Sequence, residues 1–106
     1  MVRRGDVWLA ALDPTLGSEI RKTRPCIVVS PAEMHEHLRT AIVAPMTTGS
    51  QPAPYRIPVQ FQGKRGLVLL DQVRTLDKRR LVKRLGMIRT NTLEKVCSTL
   101  QEVFAL

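Results

Sequence analysis

The sequence predicts a mainly β fold with some α: a small, strongly bent antiparallel sheet or barrel of five to seven short strands, one short internal helix, and a C-terminal helix packed on the sheet. Three observations predict it. Apolar runs of strand length recur between Pro, Gly and Asp punctuation, the segment from Tyr55 to Phe61 alternates apolar and polar residues with period two, and the end of the chain carries apolar residues at helical spacing. No Pro/Gly/Ser-rich linker divides the 106 residues, and 43% hydrophobic content suffices for one modest core. Residues 1–106 are therefore expected to form one domain.

Asp6 to Leu12 has strand composition and is stopped by Asp13-Pro14. The loop from Asp13 to Thr23 is long for a connection between adjacent strands, and such loops in small domains are often functional. The second strand is Pro25 to Val29. Ser30-Pro31-Ala32-Glu33 then reads as a capping box, with Ser30 as N-cap and Glu33 reaching back, opening a short helix to about Leu38. Ala41 to Met46 returns to sheet, where Pro45 implies an edge position or an irregular ladder. Tyr55, Ile57, Val59 and Phe61 form the buried side of the next strand, and Gln62 to Gly66 supplies a hairpin turn. Leu67 to Leu70 is its partner, continuing through Leu76, and Leu81 to Ile88 is a further short strand. In the terminal helix Asn91 is the expected cap, with Glu94 three positions on. Leu93, Val96, Cys97, Leu100, Val103 and Phe104 fall on one face.

Charge limits the partners. Lys and Arg number 17 against 9 Asp and Glu, a net charge of +8, which attracts polyanions such as RNA, DNA or an anionic membrane. No apolar run approaches the ~20 residues of a membrane helix, and the start of the chain lacks the apolar stretch of a secretory signal, so a cytoplasmic protein with no membrane partner is expected. Cys26 and Cys97 read as small core residues rather than a disulfide, and two isolated cysteines make no metal site. Aromatic content is only 4%, with Trp8, Tyr55, Phe61 and Phe104 at apparent core positions, which gives little support for binding by base stacking alone.

Arg24 carries the strongest functional signal. It ends the long loop and enters an apolar strand, which places a guanidinium at the mouth of the core, a costly position unless an anion meets it. Two readings stand: a phosphate site, or an internal pair with Glu19 across the loop. Lys78-Arg79-Arg80 with Lys83-Arg84 likewise reads as either a solvated face or a phosphate contact. His35 and His37, two apart, point to different sides of a helix and lack the spacing of a zinc helix. Asp6, Asp13, Glu19, Asp71 and Asp77 are scattered singly, unlike the carboxylate set of a two-metal nuclease. If the chain cuts nucleic acid, RNA is the feasible substrate, because its 2′-hydroxyl can attack the adjacent phosphate once charge is stabilised and a proton removed. A cation, a hydroxyl and a proton acceptor are required, and Arg24, Thr47 and Glu19 fit those roles.

Taken in order, Arg4-Gly5-Asp6-Val7-Trp8, Leu12-Asp13-Pro14-Thr15 with Gly17-Ser18-Glu19, Arg24-Pro25 leading to Val28-Val29-Ser30-Pro31, Ala44-Pro45-Met46-Thr47-Thr48, and Leu69-Leu70-Asp71-Gln72-Val73-Arg74 resemble the MazF/PemK toxins of bacterial toxin–antitoxin systems. The resemblance covers nearly the whole chain. It implies an SH3-like barrel working as a homodimer, and a sequence-specific, ribosome-independent endoribonuclease that cleaves single-stranded RNA without metal or other cofactor. Products with a 2′,3′-cyclic phosphate and a 5′-hydroxyl are implied, as is control by a cognate antitoxin with an acidic segment. The family's catalytic arginine, threonine and glutamate align with Arg24, Thr47 and Glu19. Asp71 and Gln72 match RNA-contacting positions, and Thr15, Ser18, Lys22 and Thr48 are the further RNA-binding candidates. The chain departs from the common pattern at Ile20, where a Gln often follows the glutamate. Alternatives of other kinds are a gyrase-inhibiting toxin of the same fold and a non-catalytic RNA-binding barrel.

Overall fold

The computed structural model describes residues 1–106, with the elements β1 (Asp6–Ala11), β2 (Thr23–Val28), α1 (Ala32–His37), β3 (Thr40–Thr47), β4 (Arg56–Phe61), β5 (Lys64–Leu69), β6 (Arg74–Asp77), β7 (Leu81–Met87) and α2 (Thr90–Phe104). Every ladder is antiparallel, in the order β4-β5-β3-β2-β1-β7, with β6 beside β3. The expected mainly β architecture with a terminal helix is what forms.

β3 is the strand about which the sheet bends. On one side Val43 to Pro45 pair with β2; on the other, Thr40 to Val43 pair with β6, and Met46 and Thr47 pair with β5. Ala44 and Pro45 have no partner on that second side, so the proline, which has no N–H to donate, falls where the ladder is interrupted. The irregular ladder expected at Pro45 is this change of partner. Beyond it, β4 and β5 form a hairpin whose only backbone ladder to the other strands is through Met46 and Thr47. The two ends of the sheet meet through side chains: Gln62 Nε2 donates to the Leu85 carbonyl at 3.2 Å, and the Phe61 ring lies against the open face of Gly86.

Two apolar clusters fill the interior. Val7, Ile27, Ala44, Met46, Ile57 and Val68 belong to one, covered by Val96, Leu93 and Leu100 of α2. Ala10, Leu12, Cys26, Val28, Val43 and Leu76 belong to the other. Ile27 faces the first cluster and its neighbours Cys26 and Val28 the second, so β2 is buried on both sides and reads as an unbroken apolar run. Burial pushes the Cys26 thiol up to about 12, which keeps it protonated and unreactive; both cysteines are free. No helix is long and apolar enough to cross a membrane.

Several local expectations are corrected. Ser30 does not cap α1, whose flanking residue is Pro31 with no side-chain cap; the buried Ser30 hydroxyl instead bridges the His35 ring and the Ile42 N–H. A buried hydroxyl must be satisfied, and β3 and His35 supply nearer partners than the helix end. His35 is itself a buried link, its Nδ1 bonded to the Val2 carbonyl at 2.9 Å. Asn91 lies inside α2, which starts one residue earlier, at Thr90, and has no side-chain cap. The hairpin turn is only Gln62-Gly63, both at positive φ, with Phe61 already paired to Lys64. The strand expected to run on to Leu76 breaks at the 3₁₀ turn Leu70–Gln72, so β5 and β6 join different sides of the bend. Tyr55 precedes β4 at positive φ and is exposed, and Phe104, the last residue of α2, is exposed as well.

Candidate active site

The last pair of the β2–β3 ladder is Cys26 with Pro45, and continuing that register two residues brings Arg24 opposite Thr47. Both are half-buried at the rim of the core. Their juxtaposition therefore follows from strand register, since a slip of one residue would turn every side chain of the ladder to the other face.

The Arg24 side chain makes only one internal hydrogen bond, from Nε to the Arg21 carbonyl at 3.2 Å. The ion pairs of the fold are Arg56–Asp71, Arg79–Asp77 and Arg84–Asp6, so Arg24 has no carboxylate partner and the internal pairing with Glu19 does not form. Glu19 Oε1 instead accepts the Leu16 N–H at 2.6 Å within its own loop, which leaves Oε2 without a protein partner. Thr47 Oγ1 accepts the Gly49 N–H at 3.2 Å, and the hydroxyl proton stays available for donation.

Arg24, Thr47 and Thr48 stand on a ridge between two adjoining hollows. One, about 380 Å³, is polar and brings them together with Ser18, Glu19 and Gln72. The other, about 260 Å³, has Met46 and Phe61 in its wall and Lys64 and Arg65 at its rim. Six of the nine residues expected from the sequence thus share one hollow; Thr15, Lys22 and Asp71 do not line it. The Thr15 hydroxyl donates to Asp13 at 3.0 Å, and Asp71 is held by Arg56 through two bonds of 3.1 and 3.2 Å. The Lys22 backbone and the Thr15 hydroxyl keep the Asp13 carboxyl below its ordinary value. Gln72 is divided between roles, since its amide accepts the Ile20 N–H at 2.6 Å and donates to the Ser18 carbonyl at 3.3 Å while one N–H remains free.

Sequence reasoning missed Arg21, Lys64 and Arg65, the last two because a Lys-Arg pair between Gly63 and Gly66 has the composition of a turn although it opens β5. Of the five cations from 78 to 84, Arg79, Lys83 and Arg84 are exposed, as the solvated reading expects, while Lys78 and Arg80 are half-buried. Lys78 Nζ donates to the His35 carbonyl, Arg79 pairs with Asp77, Arg80 reaches the carbonyls of Ala11 and Asp13, and Arg84 pairs with the buried Asp6. Lys83 is paired to Leu9 through the β1–β7 ladder and its side chain is exposed. No three His, Cys, Asp or Glu side chains converge anywhere in the fold.

Gly66 of β5 also shapes the site. A Cβ built there would lie 2.5 Å from the Thr47 carbonyl oxygen, a backbone atom that cannot step aside. Gly66→Ala is expected to destabilise the protein by ~1–3 kcal/mol, as other overpacking substitutions do, by pushing β5 away from Thr47. Urea unfolding checks this; an unchanged midpoint would show that the two strands have room to part.

An unpaired guanidinium facing a hydroxyl in a cationic groove, on a strongly bent β-sheet, defines a small basic protein built to receive a polyanion. Comparison with known proteins narrows the class. The family model for the PemK-like, MazF-like toxin of type II toxin–antitoxin system matches residues 3–104, and the chain belongs to that family. The chain is 36% identical to endoribonuclease EndoA of Bacillus subtilis, over 100% of this chain and 97% of the relative. It is 35% identical to endoribonuclease MazF of Staphylococcus epidermidis, over 94% of this chain and 88% of the relative. The crystal structure of MazF from Deinococcus radiodurans superposes with a TM-score of 0.88 at 25% identity, covering 99% of this chain and 97% of that one.

Proposed function

We propose that the protein is the toxin of a type II toxin–antitoxin system: a single-domain, cytoplasmic endoribonuclease that cleaves single-stranded RNA, mRNA included, at particular sequences without a metal ion. The observation that carries this reading is the free Arg24 guanidinium opposite Thr47, with Glu19 in the same hollow. The RNA supplies its own nucleophile. Its 2′-oxygen bonds to phosphorus as the bond from phosphorus to the 5′-oxygen breaks, the 2′-proton passes to the Glu19 carboxylate, and the leaving oxygen takes a proton from solvent. A 2′,3′-cyclic phosphate and a 5′-hydroxyl result. An arginine holds its charge throughout this step, so Arg24 stabilises the pentacoordinate phosphorane while the Thr47 hydroxyl donates to a non-bridging oxygen.

Ser18, Thr48 and the free N–H of Gln72 offer hydrogen bonds to the strand in the same hollow, and Thr15, Lys22 and Asp71 are further RNA contacts of this reading outside it. The protein works as a homodimer, and its cognate antitoxin lays an acidic segment along the groove, because a surface that attracts phosphates also accepts carboxylates. Incubating the protein with a long RNA in EDTA and mapping the ends tests the reading. The expected result is discrete cuts with cyclic-phosphate and 5′-hydroxyl ends; activity that vanishes in EDTA and returns with magnesium would overturn it.

A further inference from the structure

Resting on the reading of Glu19 as part of the cleaving site, we propose that Arg74 and Arg80 are positioning residues that hold the loop carrying it. The connection from β1 to β2 is closed at its neck by the Leu12 N–H donating to the Lys22 carbonyl at 2.9 Å. Where the chain leaves β1, three successive carbonyls are taken by two guanidinium groups: Arg80 Nη1 donates to Ala11 at 3.1 Å and to Asp13, and Arg74 Nη1 donates to Leu12 at 3.1 Å. The other leg is held by Gln72, whose amide meets both Ser18 and Ile20, the residues on either side of Glu19.

All three side chains come from one short segment that is itself anchored. β6 is paired to β3, the Lys78 N–H donates to the Arg39 carbonyl at 2.8 Å, and Asp77 accepts the Arg79 N–H at 2.9 Å, closing the turn that presents Arg80. Both arginines are half-buried, with donors directed to the protein's own backbone. The segment therefore transmits the rigidity of the sheet to a loop that has no ladder of its own. Its arginines act through Glu19 rather than on the phosphate.

The test uses full-length protein and three readouts: tryptic nicking after Arg21 or Lys22 without RNA, kcat on a cleavable RNA, and the salt dependence of affinity for an uncleavable all-2′-deoxy analogue. Arg74→Ala and Arg80→Ala are expected to be nicked faster in the loop and to lose kcat by ~10- to 100-fold, as misplaced catalytic groups do. The salt slope should not change. Arg80→Lys, which keeps a donor, should fall between alanine and wild type. Should an alanine variant fail to fold, Arg80→Lys and Arg74→Gln carry the same comparison. A salt slope reduced by ~0.7 per substitution, the value of one lost single-strand phosphate contact, with wild-type nicking, would overturn the proposal and make these arginines RNA contacts. Nicking at the wild-type rate in every variant would overturn it too. Nicking is read without RNA, so a wild-type protein that cuts no RNA refutes the parent reading and leaves the loop clamp separately measurable.

Discussion

Arg24→Ala is expected to slow RNA cleavage by at least ~10²–10³, the usual loss on removing one donor to a developing oxyanion, while the protein stays folded. The two effects separate because they arise from different contacts. In the resting protein the Arg24 side chain makes one internal hydrogen bond, to the Arg21 carbonyl, and no ion pair, so its removal costs the fold only about 0.5–1.5 kcal/mol. On the proposed reading the same group meets the extra charge of the phosphorane, which appears only in the transition state. Arg24→Lys should recover only part of the rate, since an ammonium cannot reproduce the planar fork. Thr47→Ala should lose less than Arg24→Ala, because it removes a neutral donor. Single-turnover cleavage beside urea unfolding decides the matter: near wild-type turnover in Arg24→Ala would remove it from the site.

A single 2′-deoxy nucleotide on the 5′ side of the cut is expected to abolish cleavage there while other sites in the same strand are still cut. The groove presents a cation, a hydroxyl and a carboxylate, and on the proposed reading the substrate brings the nucleophile. One missing oxygen should therefore matter more than any protein substitution, with binding nearly unchanged. Efficient cutting at the deoxy position would mean that Glu19 activates water instead, and the products would then lack the cyclic phosphate.

What was legible in the residues was whatever local pattern controls. The alternation of β4, the two-sided burial of β2 and the apolar face of α2 are recorded every second or third residue, and the fold follows from them. Arg24 and Thr47 were each visible as a polar residue at the end of an apolar run. Their meeting was not, because it depends on the β2–β3 register across the intervening α1. Contacts that join distant parts of the chain were the least legible. Arg80 and Arg74 bond carbonyls more than sixty residues away, so two cations that look like surface in the sequence brace the chain internally. Ser30 shows the same limit on a smaller scale: a helix-start signature in the residues, but a buried bridge between His35 and β3 once the sheet has folded over it.

The β4–β5 hairpin meets the other strands along a ladder only two residues long, and one of those residues is Thr47. A mechanical joint is thus placed at the hydroxyl proposed to touch the phosphate. Gly66 is pressed against the Thr47 carbonyl, so the hairpin that carries Lys64 and Arg65 along the apolar-walled hollow shares its backbone contact with the site. On the proposed reading, an RNA strand lying along Lys64 and Arg65 bears on the same stretch of backbone that aims the Thr47 hydroxyl.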